Sequence, residues 1–185
     1  MRPNREDVEA LRRFNLLATC GRDVEFEAVF ELKRLLSLVG NAEGEAWESG
    51  VKGLIIGSTG LEPREAIDRL RSLLLEDPWE FNVLRRIIPI ERVVETDLAK
   101  IGEACREIAA GIKAEDTFRV TVEKRRARLG SREVIEEAAR HVKARVDLEK
   151  PDKIILIEIV GGQTGISLLE GERDILNVTR DILEA

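Results

Sequence analysis

Five cations stand close together in this chain: Lys124, Arg125, Arg126, Arg128 and Arg132. They lie where the stretch TFRVTVEKRRARLGS passes from a strand pattern into a helix-start signal. Guanidinium groups offer planar forks to phosphate oxygens, or stack on bases. A helix start adds unsatisfied N–H groups and the positive end of the helix dipole. The chemistry this favours is docking of a polyanion by its backbone, which gives affinity and register without reading base sequence. From Arg119 to Arg145 nine positive residues face four negative ones, a local +5, whereas the 185-residue chain carries -6. Such polarisation orients a polyanion toward one place and keeps the remainder soluble. The plainer alternative is a solvated strand end beside a salt-bridged helix, since Arg132–Glu136 and Glu136–Arg140 are ordinary i,i+4 pairs. Arg85 and Arg86 carry the weaker version of the same choice: they face a groove or merely flank an edge strand.

Other chemistries find little support. His141 is the only histidine, too few for a zinc site with the ligands at hand. Cys105 falls on the apolar stripe of a helix and Cys20 ends a buried strand. A Cys–His nucleophile pair is the catalytic alternative they leave. The stretch GLIIGSTG precedes a helix but lacks the lysine of a phosphate loop, so Ser58 and Thr59 read as caps of a turn. VGGQTG lacks dinucleotide-binding spacing and lies between two strands. No metal or cofactor is expected.

These residues need a scaffold, and the pattern supplies one. FNLLATCG reads as a buried strand, with Asp23 capping a helix to about Val39. GNAEGEAWESG reads as a polar loop, VKGLIIGS as a strand, and STGLEPREAIDRLRSLLLED as a helix with Pro63 in its first turn. WEFNVLRRIIPIERVV is extended. This alternation predicts an α/β or split βαβ sheet with helices on one face. A boundary near Val94–Thr96 divides the chain into modules 1–95 and 96–185. In the second, Thr96 or Asp97 caps a helix carrying Ile101, Cys105 and Ile108. Phe118, Val120 and Val122 share one face of a strand; Ser131 caps a helix with Val134, Ile135, Ala138 and Val142 inward. DKIILIEIV and GISLLEGER are strands about a GGQT hairpin turn, and the last residues form a tail or short helix.

Composition sets the surroundings. Charged residues make up 36%, Gln occurs once and Tyr is absent, which points to a thermophilic source. Two distant cysteines and a charged N-terminus without an apolar core point to the cytoplasm. With 4% aromatics, and Phe118 turned inward, stacking recognition of specific single-stranded sequences is not expected.

The second module resembles a THUMP domain, a tRNA-binding module of RNA-modification systems. The resemblance rests on TFRVTVEKRRARLGSREVIEEAARHV, VDLEKPDKIILIEI and GISLL, in that order, across about Asp97 to Leu169. The segment RRIIPIE resembles the lead-in to THUMP in stand-alone adaptors that help an RNA acetyltransferase form N4-acetylcytidine in tRNA. The resemblance implies an α+β protein with a ferredoxin-like first domain. It implies a tRNA partner, held at its acceptor stem or 3′ end, with Lys124, Arg125, Arg126 and Arg128 as contacts and Arg132 and Arg86 secondary. An acetyltransferase would act in trans. Because the chain ends at Ala185, soon after the module, the expectation is an adaptor without catalysis of its own. The alternatives are a subunit of a thiolation or methylation system, an enzyme with an unrecognised site near Cys20 or GSTG, and a module whose acidic half docks a basic enzyme. Changing Lys124, Arg125 and Arg126 together is expected to weaken tRNA binding while leaving folding intact.

Overall fold

In a computed structural model, residues 13–185 are described. The charged N-terminal segment read above lies almost wholly outside them. The described residues form two compact units, 13–90 with 174–185, and Glu91–Arg173.

The first unit is built on β1 (Leu16–Cys20), α1 (Glu25–Leu38), β2 (Glu45–Glu48), β3 (Leu54–Ser58), α2 (Pro63–Glu76) and β4 (Leu84–Pro89). Its central strands lie in the order β4-β1-β3-β2, all antiparallel. A βαββαβ chain in that order is the ferredoxin-like arrangement, as expected. The strand period of two sends Leu16, Ala18 and Cys20 toward the helices, where they meet Ala28, Leu32 and Leu35 of α1 and Ile67, Leu70 and Leu74 of α2. Each fully buried Leu or Ile there contributes about 1.5–3 kcal/mol.

Two local readings are corrected. GEAWES holds a strand, β2, not a loop. It is an edge strand whose one fully buried side chain is Ala46, so its apolar signal is weak, and its glutamates suit an unpaired edge. Asp23 does not cap α1: it takes a left-handed φ of 65°, its carboxylate meets Lys52, and Val24 stands at the cap. Thr59 caps the turn as read, accepting from Leu61 N at 3.1 Å and also from Asn41 Nδ2 at 2.6 Å, while Glu62 caps α2 itself.

The end of the chain holds the short helix read from the sequence, but a strand precedes it. β10 (Leu176–Asn177) pairs with β4 opposite Ile87 and Arg86 and extends the first sheet, and α5 (Val178–Leu183) follows. Asp181, buried on α5, accepts from Arg71 Nε at 3.1 Å and from Arg180 Nε at 2.8 Å. Burial pushes its carboxyl up, but these cations and the Asn177 N–H outweigh that and hold it below the usual range. So 174–185 lies with the first unit, although its sequence adjoins the second.

The second unit comprises β5 (Arg92–Glu95), α3 (Leu98–Ala109), β6 (Thr117–Arg125), α4 (Ser131–Ala139), β7 (Arg145–Val146), β8 (Lys153–Val160) and β9 (Gln163–Leu169). Its sheet runs β5-β9-β8-β6-β7. β6 pairs in parallel with β8 and β7; the other pairs are antiparallel. One sheet face, with Phe118, Ile155, Ile157, Ile159, Ile166 and Leu168, packs on Ile101, Cys105 and Ile108 of α3 and Val134 and Ala138 of α4. Asp97 caps α3, accepting from Lys100 N at 3.1 Å. Gly102 lets the helices approach: a Cβ there would stand 2.4 Å from Glu137 Oε1. Ser131 is the first helical residue of α4, and Gly130 occupies the cap position without a side-chain bond.

The VDLEKPD turn is clipped to the start of β6. Asp152 accepts from Thr117 N and from Thr117 Oγ1, both at 2.8 Å. The bond from the Thr117 N–H, then that from its hydroxyl, holds the Asp152 carboxyl below its ordinary value. A depressed carboxylate stabilises the fold above its unfolded pKa of about 3.9 and loses that contribution as pH falls through the lower folded value. Acid titration followed by circular dichroism should therefore show Asp152→Asn with less additional loss below about pH 4 than the wild type.

Candidate nucleic-acid interface

β6 delivers the basic run, and its period of two divides it. Phe118, Val120 and Val122 face the helices, so Lys124 continues that face and Arg125 turns to the other. Arg125 Nη1 lies 2.6 Å from Glu158 Oε2, and Glu158 is 0% exposed. Lys124 Nζ donates to Leu129 O at 3.0 Å, bridging the loop that follows. Two of the expected contacts thus serve the fold. Changing the three together is now expected to disturb folding at Arg125, because its loss removes a cation bonded to a buried carboxylate.

Beyond Arg125 the strand pairing ends, where Gly161 N donates to Arg125 O at 2.9 Å. Arg126 takes a left-handed φ of 54°, which turns the chain out of the strand. Ala127 and Leu129 then pack on the apolar core, whereas Arg126, Arg128 and Gly130 are exposed. This alternation pins the loop from below and points its arginines outward. Neither Arg126 nor Arg128 makes a side-chain hydrogen bond or ion pair among the described residues. Arg132, on the first turn of α4, is 92% exposed and binds Glu136 at 2.8 Å. That bond to the Glu136 carboxylate, with the carboxylate's charge, raises the Arg132 pKa. A fully exposed pair of this kind contributes little, so Arg132 is easily recruited elsewhere.

The surrounding charge is less concentrated than its count. Arg140 binds Glu137 at 2.6 Å, and Arg119 meets Glu172 at 3.6 Å and Leu148 O at 3.0 Å. Arg145 stands opposite Thr117, at the far end of β6. Arg86 belongs to the first unit, half-buried on β4 between Thr19 and Asn177. The structure therefore brings together Lys124, Arg126, Arg128 and Arg132 about one loop.

Sequence reading missed two features here. Glu158 anchors Arg125; its signal was one acid inside the apolar run IILIEIV. The β8–β9 turn abuts the end of β6 through Gly161, whose φ of 59° suits glycine, and nothing lies within 4 Å of the Cβ position at Gly161 or Gly162.

The catalytic alternatives weaken. Burial, then Glu25, pushes the Cys20 thiol up to about 11; burial, then Glu137, pushes Cys105 up to about 12. Neither is poised as a thiolate nucleophile. The GSTG loop is spent on structure, with Asn15 bonded to both Thr59 N (2.8 Å) and Thr59 O (2.9 Å). His141 stands 3.4 Å from Glu137. Among the described residues no group of three or more His, Cys, Asp or Glu could hold a metal, and no helix is long and apolar enough to cross a membrane.

A five-stranded sheet of this order, two helices on one face and a basic loop after its long parallel strand define a class: the chain carries a THUMP domain, matched over residues 95–169. No curated protein matches the chain. Solved structures share the fold. PH1313 from Pyrococcus horikoshii is 21% identical with a TM-score of 0.60, covering 86% of this chain and 56% of its own. TrmN from Thermus thermophilus is 18% identical with a TM-score of 0.56, covering 89% and 47%. A 4-thiouridine synthetase, solved with RNA and bound ATP, is 11% identical with a TM-score of 0.58, covering 89% and 42%. The chain thus spans about half, or less, of these proteins' lengths. The expectation of a protein without catalysis is withdrawn. A 4-thiouridine synthetase is among the proteins that share the fold, and where this chain ends carries no information about activity.

Proposed function

We propose that this chain binds tRNA in a tRNA modification system, docking the acceptor stem or 3′ end at the loop Arg126–Gly130. The observation that carries the reading is the pair Arg126 and Arg128, held outward by the packing of Ala127 and Leu129 and spending no bond within the described residues. Each takes a phosphate oxygen through its planar fork. The first turn of α4, without a side-chain cap, offers N–H groups to a neighbouring phosphate. Lys124 and Arg132 flank the loop, Arg125 holds its base, and Arg86 is an auxiliary cation of the first unit.

For the chemistry served we favour N4-acetylcytidine formation with an RNA acetyltransferase acting in trans, on the resemblance of RRIIPIE to the acetylation adaptors. A second reading is thiolation or methylation, supported by likeness in fold to a 4-thiouridine synthetase and to TrmN. Two buried free thiols suit a reducing, cytoplasmic setting.

A titration of intact tRNA against tRNA trimmed at its 3′ end tests the docking. We expect trimming to weaken binding at least tenfold, about 1.4 kcal/mol. Equal affinity would remove the acceptor end from the account. Adding acetyl-CoA, ATP and a candidate acetyltransferase to the same mixture then separates the two chemistries: acetylated cytidine that depends on this chain supports the first, and its absence favours the second.

A further inference from the structure

The chain has seven Phe and Trp residues, and three of them are spent on solvent in the first unit. Phe26 and Phe30 of α1 are 63% and 59% exposed and touch edge to face, their ring centroids 4.8 Å apart. Leu38, at the end of the same helix, is 54% exposed. None of these is needed inside, where Ala28, Leu32, Leu35 and Leu36 make the buried stripe. Single exposed apolar residues are ordinary, but a contiguous apolar row marks an interaction surface.

The row is its own complement. At intervals of four it reads Phe26, Phe30, Arg34, Leu38. Such rows are the ridges through which helices most often pack. Set antiparallel to itself about a twofold axis at position 32, it places Phe26 on Leu38 and Phe30 on Arg34, and the converse. Apolar meets apolar, and a guanidinium covers an aromatic face twice. A surface that satisfies itself on reversal is what an isologous contact requires. Trp79, 86% exposed, stands on the turn that Arg34 holds by its bonds to Glu80, and forms the rim.

We propose that this surface binds a second copy of the same chain, α1 against α1, antiparallel. Sedimentation equilibrium on the full chain should show a concentration-dependent dimer. Phe30→Glu should weaken it at least tenfold with an unchanged circular dichroism spectrum, while Leu148→Glu, at an exposed apolar residue of the second unit (68%), should leave it intact. A second measurement does not depend on how Phe30→Glu folds. Chains carrying Phe30→Cys and chains carrying Arg34→Cys, mixed under mild oxidation, should cross-link with each other and not with themselves; the native thiols are buried. A monomer at every concentration tested, a dimer indifferent to Phe30→Glu, or a mixture that fails to cross-link would overturn the proposal, and the first of these would leave the rings to a different protein.

Discussion

Arg125→Ala is expected to destabilise the unit that holds β6 by about 3 kcal/mol in urea unfolding, far more than its place in an exposed-looking basic run implies. The cause is Glu158, fully buried on β8 with Arg125 Nη1 at 2.6 Å. A buried carboxylate costs several kcal/mol to desolvate, and a guanidinium bonded to it repays much of that. Removing the cation leaves the cost in place. Changing both partners should be milder than changing Arg125 alone, because Glu158→Leu with Arg125→Ala removes the buried charge as well. Arg126→Ala, one residue further, should stay within about 0.5 kcal/mol of wild type. If Arg125→Ala and Arg126→Ala were equally mild, the division of labour between the two arginines would be wrong.

Glu31→Ala is expected to cost a similar amount, about 3 kcal/mol, in the first unit. Glu31 is nearly buried on α1 and gathers three backbone donors in a row: Asn82 N at 3.0 Å, Val83 N at 2.9 Å and Leu84 N at 3.2 Å. These fix the chain as it enters β4. An orphaned buried N–H costs about 1–3 kcal/mol, and solvent reaching the exposed Asn82 relieves part of the sum. Glu31→Gln keeps one acceptor oxygen and should fall between. Equal stability of Glu31→Ala and wild type would mean that water replaces the carboxylate at all three donors.

How much of this could be read from residues alone follows from how strongly each element is patterned. TFRVTVE alternates without a break, and its inward face is where alternation puts it. The helix Pro63–Glu76 announces itself by its first-turn proline and a full apolar stripe. The βαββαβ core was legible except for β2, whose one buried side chain, Ala46, gives no period to detect. The return of β10 to the first sheet was not legible, because two residues of pairing leave no trace in composition.

The interface was half legible. KRRAR reads as one cationic cluster, but a strand cannot keep neighbours on one side, so Lys124 and Arg125 part company. Where the strand ends, the left-handed Arg126 changes the rule, and the small and apolar residues at 127 and 129 decide which side chains face out. Partners distant in sequence, such as Glu158, 33 residues away from Arg125, are set by sheet register, which no local pattern records.

The central claim is that Arg126 and Arg128, not the basic run as a whole, hold tRNA. It is tested by titrating one tRNA against wild type, the double variant Arg126→Ala/Arg128→Ala, and Arg140→Ala, which removes one surface cation already paired with Glu137, over a range of salt concentrations. The double variant is expected to lose at least tenfold in affinity at moderate salt, with a slope of log K against log[salt] shallower by up to about 2, while Arg140→Ala stays near wild type. Wild-type affinity and slope in the double variant, or equal losses in the double variant and in Arg140→Ala, would contradict it.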